Sequence, residues 1–210
     1  KTNRYKKPYC MTIEEKLGIP MDSIKISSIK KGANGNFYIG TWSDHGLIIL
    51  NTSNQSAEQY FPLEPDSNTG KIPRTMIGDI AIDKSDNLWI PLYNVGLSTF
   101  DLVKKSFDLH LPDPKNQNSL SDAQIESIMI DNSGSIWLGA ARSLMNHDSE
   151  KKKFSLISNS QKADIISSYD EKWGLYFDSN DNLWAGSVYR GNGIDVIDIK
   201  TKSVTNHVPP

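Results

Sequence analysis

Four histidines, three evenly recurring aspartates and a set of ring-bearing loops are the residues of this chain with chemical reach. His45, His110, His147 and His207 show no His-x-x-x-His spacing, and the single Cys10 forms no Cys-x-x-Cys pair, so no zinc set and no cofactor is expected. No Gly-x-Ser-x-Gly elbow offers a nucleophile. Gly191-Asn-Gly193 lies between strand patterns, without the helix a phosphate cradle needs. Asp83, Asp131 and Asp178 could suggest acid catalysis or calcium, but each opens the same short turn, which points to turn-capping. No catalytic residue is assigned.

The second set is irregular. Trp42-Ser-Asp-His45, Tyr93-Asn94, Ala141-Arg142 and Tyr189-Arg-Gly-Asn192 differ from one another while occupying matching places in the chain. Flat rings stack on the apolar face of a pyranose, and Asp, Asn, His and Arg supply hydrogen bonds to hydroxyls or a carboxylate. The candidate ligand-binding residues are therefore Trp42, Asp44, His45, Tyr93, Asn94, Arg142, Tyr189 and Arg190. The competing reading is that they are ordinary solvated loop residues, with the aromatics packed on neighbouring sheets.

The elements that would position them repeat. Asn34-Gly-Asn-Phe-Tyr-Ile-Gly40, Ser85-Asp-Asn-Leu-Trp-Ile-Pro91, Ser133-Gly-Ser-Ile-Trp-Leu-Gly139 and Asn180-Asp-Asn-Leu-Trp-Ala-Gly186 align, anchored on Tyr38, Trp89, Trp137 and Trp184. The anchors stand 51, 48 and 47 residues apart, a period that suits one four-stranded propeller blade. Before each comes an alternating apolar pair, Ile24/Ile26, Ile80/Ile82, Ile128/Ile130 and Leu175/Phe177, the mark of a half-buried strand. After each come a variable loop, a third strand (from Gly46, Gly96, Ser143 and Gly193) and a fourth around Tyr60-Phe61, Phe107–Leu109, Phe154–Leu156 and Val204–Val208.

The expected fold is all-β, a β-propeller of about four four-stranded antiparallel blades that forms part of a larger array. The expected divisions are 23–72, 73–121, 122–166 and 167–210. Residues 1–22 are read as the last strand of a preceding blade, at Tyr9-Cys10-Met11, with a linker. Thr12 to Leu17 is the best helical stretch, and Pro20 would end it. The recurring tryptophans are read as wedges between sheets. Loops that vary on a repeated scaffold are where binding is usually grafted.

Composition narrows the partners. A net charge of −2 and the absence of a basic stripe argue against nucleic acid. No stretch is apolar for long enough to cross a membrane as a helix. No membrane contact is expected of this segment.

The motif Asp-x-x-Gly/Asp-x-Leu/Ile-Trp-Leu/Ile-Gly, followed by Gly-Leu and a strand-closing Asp, resembles the two-component regulator propeller repeat. Leu111-Pro-Asp-Pro-Lys-Asn-Gln-Asn-Ser-Leu-Ser121 is similar to the inter-blade linker of that family. The resemblance runs from about Ile24 to Val208. Phe37-Tyr38, Pro91 and Ser143 depart from it. It implies a periplasmic, seven-bladed propeller segment of a membrane-anchored hybrid sensor histidine kinase from Bacteroidetes. It also implies a small oligosaccharide ligand, a homodimer formed through the whole ectodomain, and output to glycan-use genes. A protein-interaction scaffold is the alternative, and a lyase or sialidase-like enzyme a further one. The Asp turn is similar to the Asp box of sialidases, but its Asp lies six residues before Trp, one further than in that box. The four arginines, Arg4, Arg74, Arg142 and Arg190, form no evident triad.

Overall fold

The computed structural model describes residues 9–62, 76–141, 143–148, 151–159, 172–187, 193–201 and 203–207. These residues form four separate four-stranded antiparallel sheets, each in sequential strand order. The chain divides into two compact units, Lys1–Ile80 and Ala81–Pro210.

The first unit holds sheet 1: β1 (Ile26–Lys31), β2 (Asn36–Thr41), β3 (Leu47–Asn51) and β4 (Ser56–Tyr60). It is preceded by helix α1 (Tyr9–Leu17). Tyr9–Met11, expected as a strand, instead form the first turn of this helix. No strand among the described residues pairs with them, and Ile13 and Leu17 dock the helix against Ile39, Ile48 and Leu50 of the sheet. The alternating pair of the first repeat was also misplaced. Ile24 lies outside the strand, and it is Ile29 that pairs with Ile39 on β1.

The second unit holds three sheets. Sheet 2 is β5 (Ala81–Ile82), β6 (Leu88–Leu92), β7 (Gly96–Asp101) and β8 (Ser106–His110). Sheet 3 is β9 (Ile125–Ile130), β10 (Ile136–Ala140), β11 (Ser143–Asp148) and β12 (Lys153–Asn159). Sheet 4 is β13 (Lys172–Phe177), β14 (Asn182–Ser187), β15 (Ile194–Asp198) and β16 (Val204–His207). One core joins Trp89 and Leu97 of sheet 2 to Ile128, Ile136, Leu138, Met145 and Phe154 of sheet 3. A second joins Trp137 and Leu144 of sheet 3 to Leu183, Ala185 and Ile197 of sheet 4. Because side chains alternate between faces, sheet 3 gives its tryptophan face to sheet 4 and receives the tryptophan face of sheet 2 on the other.

The turn aspartates hold these wedges in place. Asp83, Asp131 and Asp178 each accept the indole Nε1–H of Trp89, Trp137 and Trp184 at 2.9 Å through Oδ2. Oδ1 of the same residues accepts turn backbone N–H groups, from Asn87 at 2.9 Å, Ser135 at 2.9 Å and Asn182 at 3.0 Å. One carboxylate thus caps the turn and fixes the ring. The first repeat lacks both partners together. Gly32 stands where the others have Asp, because a Cβ there would lie 2.7 Å from the Tyr38 ring. Tyr38 instead accepts a hydrogen bond from Asn34 Nδ2 at 2.9 Å through its hydroxyl.

The turns between third and fourth strands are capped alike. Asp101 Oδ1 accepts the N–H of Val103 and Lys104 at 2.8 and 2.9 Å, and Asp198 Oδ1 those of Lys200 and Thr201 at 2.8 and 3.0 Å. The backbone N–H and side chain of Lys104 hold the Asp101 carboxyl down at about 2.

Candidate functional site

Of the eight candidate ligand residues, Trp42, Asp44 and His45 share the loop between β2 and β3 in the first unit. Its backbone is pinned on both sides. Trp42 N–H donates to Lys25 O at 2.7 Å, and the Thr41 hydroxyl lies 3.2 Å from Ser43 O and 2.9 Å from Gly46 O. Gln59 Nε2 donates to His45 O at 3.0 Å. Gly46, at φ 61°, closes the loop, and a Cβ there would sit 2.4 Å from Tyr60 O. The loop therefore presents side chains from a fixed frame rather than a slack one.

Within it Trp42 and Asp44 are exposed and His45 is half-buried. Ser23 Oγ donates to Pro20 O at 2.6 Å and lies 3.2 Å from His45 Nε2. A hydroxyl has one proton. With that proton on Pro20 O, His45 Nε2–H is the donor to Ser23. The loop thus combines an exposed indole face, a carboxylate and an oriented imidazole.

Tyr93 and Asn94 lie in the turn between β6 and β7 of the second unit, closed by Val95 N–H to Leu92 O at 3.0 Å. Asn94 adopts φ 57°, a conformation asparagine tolerates better than most residues. Turn geometry is therefore a sufficient reason for Asn at this place. Arg142, Tyr189 and Arg190 lie outside the described residues.

The histidines of the second unit have structural roles that spacing alone did not reveal. The Trp89 indole is stacked on His110 of its own sheet, centroids 5.7 Å apart and planes at 12°. It also meets His147 of sheet 3 at 4.9 Å. Phe154 closes the cluster, 5.7 Å from His110 and 4.6 Å from His147. Burial lowers the pKa of both imidazoles, and the neighbouring His110 adds to the effect on His147. Both are therefore neutral apolar-stack members near pH 7. His207 repeats the arrangement of His110, stacked on Trp184 at 6.3 Å and 8°.

Two of the turn carboxylates, Asp131 and Asp178, also have lowered pKa values, which for an acid favours the charged form. The Trp184 indole and the Asn182 side chain, with the Asn182 backbone, hold Asp178 down at about 2. For Asp131 burial works upward, but hydrogen bonds from Ser133, Trp137 and Ser135 outweigh it and its pKa is lowered. Such carboxylates are ionised acceptors and poor proton donors at neutral pH.

The linker after β8 carries a feature that its role as a connector concealed. Pro112 and Leu120 form a parallel bridge. Asp113 N–H donates to Ser119 Oγ at 2.9 Å, and Phe154 N–H donates to Asn118 O at 2.9 Å, tying the linker to β12. The folded linker borders a cleft of about 620 Å³ with Pro112, Asp113, Asn116 and Gln117 at its rim and Met145 and Leu156 from sheet 3. Pro and Asx residues at this spacing mark a compact loop, but only the return of the chain onto β11 and β12 makes the hollow.

No protein-family model matches the chain, and no curated protein sequence does. Solved structures do. The chain is similar to the extracellular domain of the hybrid two component system BT3049 from B. thetaiotaomicron, with a TM-score of 0.73 at 20% identity over 88% of this chain. It is similar to that of BT4673 from the same organism, with a TM-score of 0.68 at 17% identity over 89% of this chain. It covers only 24% and 22% of those two chains, about a quarter of their length. It is also similar to a catalytically inactive H270A virginiamycin B lyase from Staphylococcus aureus, with a TM-score of 0.68 at 13% identity, over 91% of this chain and 58% of that one. At these identities the likeness establishes the fold: an all-β partial β-propeller of four-stranded antiparallel blades. Sensor domains and a lyase share that fold, so function has to be argued from the loops.

Proposed function

We propose that this chain is a ligand-sensing segment of the extracytoplasmic region of a hybrid two-component sensor, and that it binds a small oligosaccharide. The observation that carries the ligand reading is the β2–β3 loop: an exposed Trp42 ring on a pinned backbone, beside Asp44 and the oriented His45. An indole face covers the C–H surface of a sugar, while the carboxylate and imidazole accept or donate to its hydroxyls. The likeness to extracellular domains of hybrid two-component systems supports the sensor reading. The stacking of His110 and His147 on Trp89 and the structural duties of Asp83, Asp131 and Asp178 support a binding rather than a catalytic segment.

In this reading the ligand binds one arrangement of the parent better than another, and the difference in affinity sets the size of the response. A kinase elsewhere in the parent, a periplasmic location, a homodimeric ectodomain and control of glycan-use genes complete the proposal. Calorimetric titration of the purified chain against a broad panel of neutral and acidic oligosaccharides tests it. Saturable binding of one class is expected, with Trp42→Ala weakening it at least about tenfold, the loss of roughly 1.4 kcal/mol. Absence of saturable binding across the panel, or binding indifferent to Trp42→Ala and Asp44→Ala, would count against the oligosaccharide reading at this loop.

A further inference from the structure

Trp89 and Trp137 are buried alike, each 7% exposed, but by different chemistry. The Trp137 ring is packed among Leu144, Leu183, Ala185, Ile197 and Phe177, none of which can take a proton. Trp89 instead touches two imidazoles, His110 of its own sheet and His147 of sheet 3. Phe154 of sheet 3 touches both imidazoles in turn. Two protonatable rings therefore sit in the contact between sheets 2 and 3.

His147 is the less able of the two to carry charge. It is 6% exposed, and its Nδ1 is buried with no hydrogen-bond partner among the described residues. Its row across the sheet is apolar: Ile130 on β9, Ile136 on β10 and Phe154 on β12. In the imidazolium both ring nitrogens are donors, so Nδ1 would become a buried, charged donor with no acceptor, a costly state. His110 is half-buried, with Nε2 3.4 Å from Thr99 Oγ1. A charge there would repel a second on His147. Some neighbours pull the other way. Asp108 on β8 attracts a proton to His110, and Asp148 at the end of β11 attracts one to His147. Asp83 is bonded to the Trp89 indole, whose face also favours a cation. Of the nearby lysines, Lys151 bridges Asp148 at 2.8 Å and Lys84 reaches from sheet 2 to Asn132 O at 2.9 Å. Burial outweighs the attractions at both imidazoles, whose pKa values are lowered from 6.5.

We infer that the Trp89–His110–His147–Phe154 stack is an acid-operated latch, which holds sheets 2 and 3 together while its imidazoles are neutral and loosens them when His147 becomes charged. The opened contact accepts protons that the closed one resists. Its stability is therefore full above about pH 6.5 and falls as the pH drops below that value. The contact between sheets 3 and 4 does not share this window. Its core holds no imidazole, and the turn carboxylates Asp131 and Asp178, with lowered pKa values, stay ionised well below it. Mild acid thus acts on one sheet contact while the next one holds. The inference is independent of any oligosaccharide.

Hydroxyl-radical footprinting with mass spectrometry, read at Trp89 and Trp137 at about pH 7.5 and about pH 5, tests it across the range in which histidine changes charge. Acid should raise Trp89 oxidation several-fold relative to Trp137. His147→Phe, which keeps a flat ring and cannot be charged, should abolish the rise, and His147→Gln serves if the larger ring does not pack. Trp89 oxidation that ignores pH would overturn the inference. So would an equal rise at Trp137, which reports general acid unfolding, or a rise that survives substitution of His147. Should neither variant fold, the unaltered chain still decides. The pH midpoint of Trp89 oxidation should match that of the His147 ring protons followed by nuclear magnetic resonance, and a mismatch would overturn the latch.

Discussion

Trp137→Ala is expected to destabilise the chain by about 3–5 kcal/mol, the usual cost of removing a large buried aromatic. The indole fills the space between sheets 3 and 4, lies edge-on to Phe177 at 5.9 Å, and belongs to the core with Leu144, Leu183, Ala185 and Ile197. Removing it also leaves Asp131 Oδ2 without its indole donor. Against a typical domain stability of about 5–15 kcal/mol, the loss takes a large share of the total. Urea unfolding followed by far-ultraviolet circular dichroism measures it. Trp184→Ala is the control. It removes the same side chain and the same aspartate bond from a face that is open, and should cost clearly less. Equal costs for the two would mean that the ring stabilises through its turn rather than between sheets.

Gly96→Ala should be the second severe change, although it adds one methyl group. Gly96 begins β7 at φ 141°, a region essentially confined to glycine and costing other residues of order 1–3 kcal/mol. A Cβ there would lie 2.5 Å from His110 O. That atom is backbone of the adjacent strand and cannot move without parting β7 from β8. The clash adds to the strain, and each kcal/mol lowers the melting temperature of a chain this size by about 2–4 °C. Gly174→Ala is the comparison. It lies in β13 with no positive φ and nothing within 4 Å of the added atom, so its melting temperature should stay within a degree or two of the parent. Similar melting points for the two variants would show that the strand-three glycine is a habit of the repeat rather than a requirement.

The repeat was legible because its strands alternate and its anchors recur. β7 and β11 span the residues expected from Gly96 and Ser143, and the rows that face the next sheet follow from the period of two. Ser143 could replace the glycine because it takes no left-handed backbone. What the pattern left out was set by contacts between repeats or by single turns. Tyr9–Met11 have the apolar, ring-bearing look of a strand, but they begin the helix whose Ile13 and Leu17 pack on sheet 1. The bond from Asp131 to the indole of Trp137 was not read from the sequence, where the aspartates were taken only as turn caps; the constant six-residue spacing, and the joint loss of Asp and Trp around Gly32 and Tyr38, are the signals that could have shown it.

The candidate site was legible only as loop composition. That Trp42, Asp44 and His45 sit on a pinned loop depends on Lys25 O, Gln59 and Ser23, residues distant in sequence that no local pattern connects. Asn94 was picked for its side chain, and its backbone supplies a separate reason for its identity. The stacking of His110 on Trp89 and of His207 on Trp184 needs the sheet register to be seen.

The account depends on rings held between sheets, and the most direct measurement is hydrogen exchange of the indole N–H groups by nuclear magnetic resonance. The protons of Trp89 and Trp137, buried and bonded to Asp83 and Asp131, should exchange only through unfolding of the sheets. The Trp184 proton, bonded to Asp178 on an open face, should exchange faster. Exchange of the Trp89 and Trp137 protons at the rate of a free indole would contradict the wedge and the packing built on it.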